Sequence, residues 1–365
     1  MKRFIGAVVL ASAVAVIGAG CGGGGSSESG AQSVHLVTTV PPDTQAYIGQ
    51  YHAAALFGDK FGLASQSPVT GFEDENTATQ VLLSGGADVE GGTLTQVIQL
   101  NQHGQSVKAF CPVQQDSTEQ LVGRTDKITS LDQITNPDVR VAVDSPGGLV
   151  NFIMNLVFRE KGLGITVKDL KNVTVLGDGS QRLAALAANQ VDVGSVDLFE
   201  LPELVKQVGP DAVTTLSVTA ADSNFLADVY FAPTKWLNDN TDLAGRFCAA
   251  TLYSNRALAA NFGEYKSSVG KFAKGGTETS VLKKNWAFSR KYQVWPYNTD
   301  VMSPKAVKTI INVGVPSGLL DASARNYTFN DIVDTRPGNI AMDLVGGPAD
   351  AKEINAGNVP TPKGG

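Results

Sequence analysis

A chain of 365 residues with 42% hydrophobic and 18% charged side chains has an ordinary globular composition and enough length for two domains. The formal net charge of −6, with basic residues scattered along the chain, argues against a nucleic-acid partner. Beyond the first 20 residues no apolar run approaches membrane-spanning length.

The chain opens with Lys2 and Arg3 ahead of an apolar run over residues 4–17, followed by Gly18, Ala19, Gly20, Cys21 and a Gly/Ser linker. A charged start, a short apolar core and small residues before a cut site make a secretory signal. Small residues let the peptide enter a peptidase extended, and the Cys21 thiol can carry a diacylglycerol thioether. The segment resembles the bacterial lipobox, with Ile17 where Leu is commonest. An ordinary signal with an incidental cysteine is the alternative. The expectation is a signal over residues 1–20, then lipidated Cys21 and a flexible linker over 21–33. A soluble domain would thus be tethered to the outer face of the cell membrane. Cys111 and Cys248 remain as a candidate disulfide, since exported thiols can pair; two separate buried thiols fit the sequence equally.

Strand and helix patterns then alternate. Residues 34–40 are β-rich and end at Pro41-Pro42-Asp43, and 44–57 predicts a helix. A strand at 68–72, a helix at 76–83 and a strand at 87–90 lead into Gly91-Gly92-Thr93. With a helix at 94–101 and a strand at 107–113, this is a βαβαβ series. It implies a mostly parallel sheet whose ligand loops lie at the strands' C-terminal ends. The pattern restarts at a strand over 140–143 ending in Asp144-Ser145-Pro146-Gly147-Gly148. A helix at 149–160, a strand at 172–176, a helix at 180–188 and a strand at 191–196 follow. The segment from Leu82 to Val89 echoes that from Leu186 to Val193, which sets Thr93 opposite Asp197. Strands at 214–218 and 228–232 bring the chain back. Helices follow at 243–259, 264–271, 279–292 and 304–313, and the Gly/Pro-rich stretch from Gly346 reads as frayed.

These residues resemble a known family. The lipobox, the twin α/β pattern and Asp144-Ser145-Pro146-Gly147-Gly148 are similar to substrate-binding lipoproteins of ABC importers. The likeness is to the nitrate, sulfonate, taurine and thiamine-precursor binding group. Pro42-Asp43-Thr44-Gln45, Leu83-Ser84-Gly85-Gly86-Ala87-Asp88-Val89 and its counterpart Ala188-Asn189-Gln190-Val191-Asp192-Val193 carry it. Trp295-Pro296-Tyr297-Asn298 and Gly318-Leu319-Leu320 resemble the group's C-terminal helical segment. Glu90 departs from it, standing where a small residue is usual, and so does Asp197, where Ser or Ala would be ordinary. The resemblance implies a type II periplasmic-binding-protein fold, two mostly parallel α/β lobes on a two-strand hinge. Lobe I would comprise 34–118 and 230–335, lobe II 119–229 with the crossovers, and 336–365 a partly disordered tail. It also implies capture of a small molecule by hinge closure and delivery to an ABC permease, with no cofactor, metal or catalytic residue.

Asp43 and Gln45 occupy the first loop, where a carboxylate and an amide can read polar edges. Gly92 and Thr93 end one strand, and Ser145, Gly147 and Gly148 form a strand-to-helix turn where glycine lets a ligand approach the backbone. An ionised Asp197 would attract an amine or a protonated ring. Phe225 and Asp228 flank the second crossover, where a ring can stack on a planar ligand. Ser145 and Asp197 equally fit plain helix caps. The acidic candidates favour an amine-bearing or heterocyclic ligand, with sulfonates as the alternative. Hydrolase, metalloprotease, dithiol and phosphate-loop motifs are absent from the sequence. A pyrimidine-synthase-type enzyme on the same scaffold and a sensor ectodomain are the competing readings.

Overall fold

The computed structural model describes residues 31–39, 48–64, 67–72, 75–145, 148–177, 179–218, 225–273 and 277–363. The expected signal peptide, Cys21, Asp43, Gln45 and Gly147 lie outside these residues. Buried β1 (Leu36–Thr38) pairs in parallel with β2 (Val69–Gly71) and β3 (Val89–Thr93). The connections are α1 (Ile48–Phe57), α2 (Glu75–Leu83) and α3 (Leu94–Gln102), and β4 (Val107–Gln114) ends the run. β4 is almost continuously buried, as a strand covered on both faces must be.

The chain then crosses to a second sheet through β5 (Glu119–Arg124). There it forms β6 (Arg140–Val143), α4 (Leu149–Glu160), β7 (Asn172–Val175), α5 (Gly179–Ala187), β8 (Val193–Asp197), α6 (Leu201–Val208) and β9 (Val213–Val218). It returns as β10 (Asp228–Pro233), antiparallel between β3 and β4. The strand orders are β2-β1-β3-β10-β4 and β7-β6-β8-β5-β9. Both sheets follow one plan: the fourth strand in each order runs antiparallel and adjoins a crossover. This is the expected pair of α/β lobes. Up to β10, two elements differ from the sequence reading. β5 was not foreseen, because its partners β8 and β9 are far along the chain. Residues 201–208 form a helix that the sequence reading left unassigned.

The remaining helices are α7 (Thr234–Asp239), α8 (Thr241–Ala260), α9 (Phe262–Phe272), α10 (Thr279–Lys291), α11 (Pro304–Ser317), α12 (Phe329–Ile332), α13 (Thr335–Leu344) and α14 (Ala351–Asn355). The twenty-residue α8 is the spine of lobe I, packed by α1 and α13. Gly245 permits that approach, because a Cβ there would lie 2.6 Å from Ile340. Cys111 of β4 and Cys248 of α8 form a disulfide with Cα atoms 5.6 Å apart. α11 starts at Ser303, whose hydroxyl accepts the Ala306 N–H, and packs against both α3 and α4. Leu94 and Val97, Phe152 and Leu156, and Val307 and Ile310 therefore share one apolar core across the lobes. Each such fully buried side chain contributes roughly 1.5–3 kcal/mol.

The expected disordered tail over 336–365 is corrected: α13 and α14 pack on α8. Buried Arg256 of α8 donates to the carbonyls of Tyr297, Val345 and Gly347 at 2.8–2.9 Å and to Asn298 Oδ1 at 3.1 Å. Burial without a carboxylate partner lowers its pKa to about 10. Leaving that guanidinium unpaired would be expensive, so the C-terminal segment is held in place.

Candidate ligand-binding cleft

Polar side chains collect where strands end, because backbone leaving a sheet must find new partners and helix N-termini present free N–H groups. In lobe I, Thr93 ends β3 and caps α3, its Oγ1 accepting the Gln96 N–H at 3.1 Å. Gly92 precedes it because a Cβ there would lie 2.2 Å from Gln96 Oε1. The β10 register places Asp228 opposite Thr93 on one side and Gln114 on the other, a polar row across one sheet end. Behind this row, Glu90 is fully buried and accepts hydrogen bonds from Thr79 Oγ1 (3.0 Å) and Gln96 Nε2 (2.8 Å). Desolvation pushes its carboxyl up to about 8, so it is mostly protonated at neutral pH.

Lobe II carries charge at the corresponding place. Glu119 of β5 lies opposite Asp197 at the end of β8. Arg182 of α5 donates to Glu119 Oε1 (3.3 Å) and to the carbonyls of Ser195 (3.3 Å), Leu176 (3.1 Å) and Gly177 (3.2 Å). The Ser195 hydroxyl donates to the other Glu119 oxygen. Asp197 is buried and accepts from Thr118 Oγ1 (2.6 Å) and Phe199 N (2.8 Å). Burial first, and the negative charge of Glu119 second, raise its pKa above the ordinary carboxylate range.

The DSPGG turn works through a residue absent from the candidate set. Asp144 turns its carboxylate onto the start of α4 and accepts Val150 N and Asn151 N, both at 2.8 Å. Gly148 is required beside it, since a Cβ there would lie 2.3 Å from Asp144 Oδ2. Burial raises Asp144 to about 6. Ser145 is half-buried at this turn, and its carbonyl accepts Gly148 N at 3.0 Å. An aspartate five residues before a predicted helix was the available signal, and capping preference would have found it. Phe225 is a correction: its ring is buried and stacks on Phe152 of α4 at 5.6 Å with 8° between planes, so it packs lobe II and is not offered to a ligand.

The first crossover leaves lobe I beside its C-terminal helices. Gln115 N donates to Val294 O at 2.9 Å, and Trp295 lines a cavity of about 10 Å³ with Gln50, Gln114 and Asn255. That volume holds about one water. Gln50 Oε1 and both polar atoms of Gln114 are buried there without a hydrogen-bond partner. Tyr265 stands 5.5 Å from Trp295, and the Asp197 charge adds to the burial that raises its phenol pKa. Among the described residues, no group of three or more His, Cys, Asp or Glu side chains is arranged to hold a metal ion. No helix among them is long and apolar enough to cross a membrane.

Two sheets of one plan, joined by two crossovers, are the architecture of the periplasmic-binding-protein fold. The chain belongs to the NMT1/THI5-like family, whose model matches residues 69–262, more than half of its length. No curated protein sequence matches it. Solved structures similar to it include the periplasmic nitrate-binding protein NrtA of Synechocystis PCC 6803, at 15% identity and TM-score 0.66 over 88% of this chain and 90% of that one. The periplasmic sulfonate-binding protein SsuA of Methylobacillus flagellatus KT is 16% identical, with TM-score 0.62 over 91% and 98%. A zinc-bound ligand-binding component of an ABC-type import system from Staphylococcus aureus is 14% identical, with TM-score 0.64 over 85% and 99%.

Proposed function

We propose that this protein is an extracytoplasmic binding component of an ABC-type importer, anchored through lipidated Cys21. It captures a small amine-bearing or heterocyclic molecule between its lobes and hands it to a membrane permease. The observation that carries the ligand class is Asp197, a buried carboxylate at a strand end with two of its acceptor sites used. Within lobe I, the unsatisfied Gln50 oxygen and Gln114 amide line a cavity the size of about one water, which a bridging water to a bound ligand would fill. An oxyanion is disfavoured. The N-terminus of α4, where an anion would find free N–H groups, already holds the Asp144 carboxylate. Glu119 and Asp197 add negative charge against the single guanidinium of Arg182.

The test is a thermal-shift screen of amines, pyrimidines, sulfonates and amino acids, followed by calorimetry on the best compound. A charge-assisted hydrogen bond is worth about 1.5–3 kcal/mol, so Asp197→Ala should weaken binding roughly 10- to 150-fold. Ser145→Ala should cost about 0.5–1.5 kcal/mol. Capture of an amine should also weaken as pH falls through the raised pKa of Asp197, which removes the charge. Unchanged affinity in a folded Asp197→Ala protein, or a sulfonate as the best compound, sinks the amine reading.

A further inference from the structure

Helices α9 and α10 gather positive charge in an acidic protein. Residues 262–292 hold seven basic and two acidic side chains, whereas the whole chain carries −6. Six of the seven are lysine. The cations are laid over aromatic rings: Lys283 over Phe262 (5.7 Å), Arg290 over Trp286 (4.1 Å), Lys291 over Tyr292 (4.8 Å) and Lys271 over Phe272 (5.0 Å). Phe262 and Trp286 meet edge to face at 5.6 Å, which joins the start of α9 to α10. The rings are half-buried, while Lys271, Lys283, Lys284 and Lys291 are exposed. Along α10 the spacing puts Lys283, Trp286 and Arg290 on one face and Lys284, Phe288 and Lys291 on the next. Arg290 is fixed there by Asn355 Oδ1 at 2.9 Å.

Like charges repel, so their collection on one face of an otherwise negative molecule calls for an anionic partner. The geometry points to the anionic phospholipid surface of the membrane as that partner, with α9 and α10 lying against it. Aromatic edges set among lysines suit the headgroup boundary, where rings sit at the interface and flexible lysine stems reach the phosphates. A protein or nucleic-acid partner read by paired hydrogen bonds would favour arginine forks over six point-like ammonium groups. The acidic remainder of the chain is repelled by the same surface, so the contact is oriented. This inference stands on charge and aromatic placement alone and does not depend on the ligand or on Cys21.

The test uses the full chain with vesicles of equal phosphatidylglycerol and phosphatidylcholine carrying a spin-labelled lipid, and reads quenching of Trp286 fluorescence. A Trp286→Phe variant supplies the background from Trp236 and Trp295. Quenching should appear with phosphatidylglycerol, disappear at high salt, and be absent from pure phosphatidylcholine. Replacing Lys283, Lys284 and Lys291 together by Gln should lower the apparent affinity about 100-fold. Their exposed positions leave the melting temperature as the check on the fold. Quenching that survives the triple substitution, or that is equal in neutral vesicles, overturns the proposal. So does a defect of the triple variant seen only when a permease is present, which would make the partner a protein.

Discussion

Lobe I and lobe II place polar groups at the same positions of the same sheet plan, yet only lobe II sets a buried guanidinium, that of Arg182, among its strand-end carboxyls. In lobe I the buried groups are the side chains of Gln50, Gln114 and Asp228 and a protonated Glu90. In lobe II they are Asp144, Asp197 and Arg182, and Arg182 pairs with half-buried Glu119. The difference follows from the availability of a buried cation. Arg182 reaches the strand ends of lobe II and compensates carboxylates there, whereas Glu90 has no cation within its hydrogen-bond shell and keeps its proton.

The comparison breaks most directly at Arg182. Arg182→Met removes the cation and leaves buried carboxylates uncompensated, so it should lower stability by about 3–5 kcal/mol, measured by denaturant unfolding at neutral pH. A loss under about 1 kcal/mol would mean that lobe II does not depend on its ion pair.

Glu90→Gln tests lobe I. A raised folded-state pKa contributes stability that is whole below the ordinary value of 4.5 and is lost as pH climbs through about 8. The amide cannot ionise, so the variant should match the parent below pH 4.5 and exceed it by on the order of 5 kcal/mol above pH 8. Parallel pH profiles for the two proteins would show that Glu90 is ionised in the fold.

The smallest effect is expected at Asp144. Asp144→Ala uncaps α4 and should cost about 1 kcal/mol. Faster hydrogen exchange at the amides of Val150 and Asn151 is the local readout. Unchanged exchange there would free the α4 N-terminus for a ligand anion and remove the electrostatic contrast between the lobes.

Much of this molecule is local and was legible in the chain. Alternating apolar runs place the strands, and helical periodicity places helices such as those at 94–101 and 304–313. The restart at Arg140 marks a second sheet, because these signals depend on neighbours a few residues apart. Asp197 at a strand end belongs with them. Features that depend on distant partners were not legible. β5 exists through β8 and β9, and Phe225 turns inward because Phe152 is there to receive it. The Gly-Gly-Pro stretch after Val345 reads as loose until Arg256, some 90 residues earlier, claims its carbonyls. The charge state of the site belongs to this second class. A carboxyl's sequence position says nothing about desolvation, and Glu90 and Asp144 acquire pKa values of about 8 and about 6 only when the surrounding core closes over them. The sequence by itself determined where most strands of each lobe would end. Burial in the tertiary structure decided which of the polar groups there remain charged.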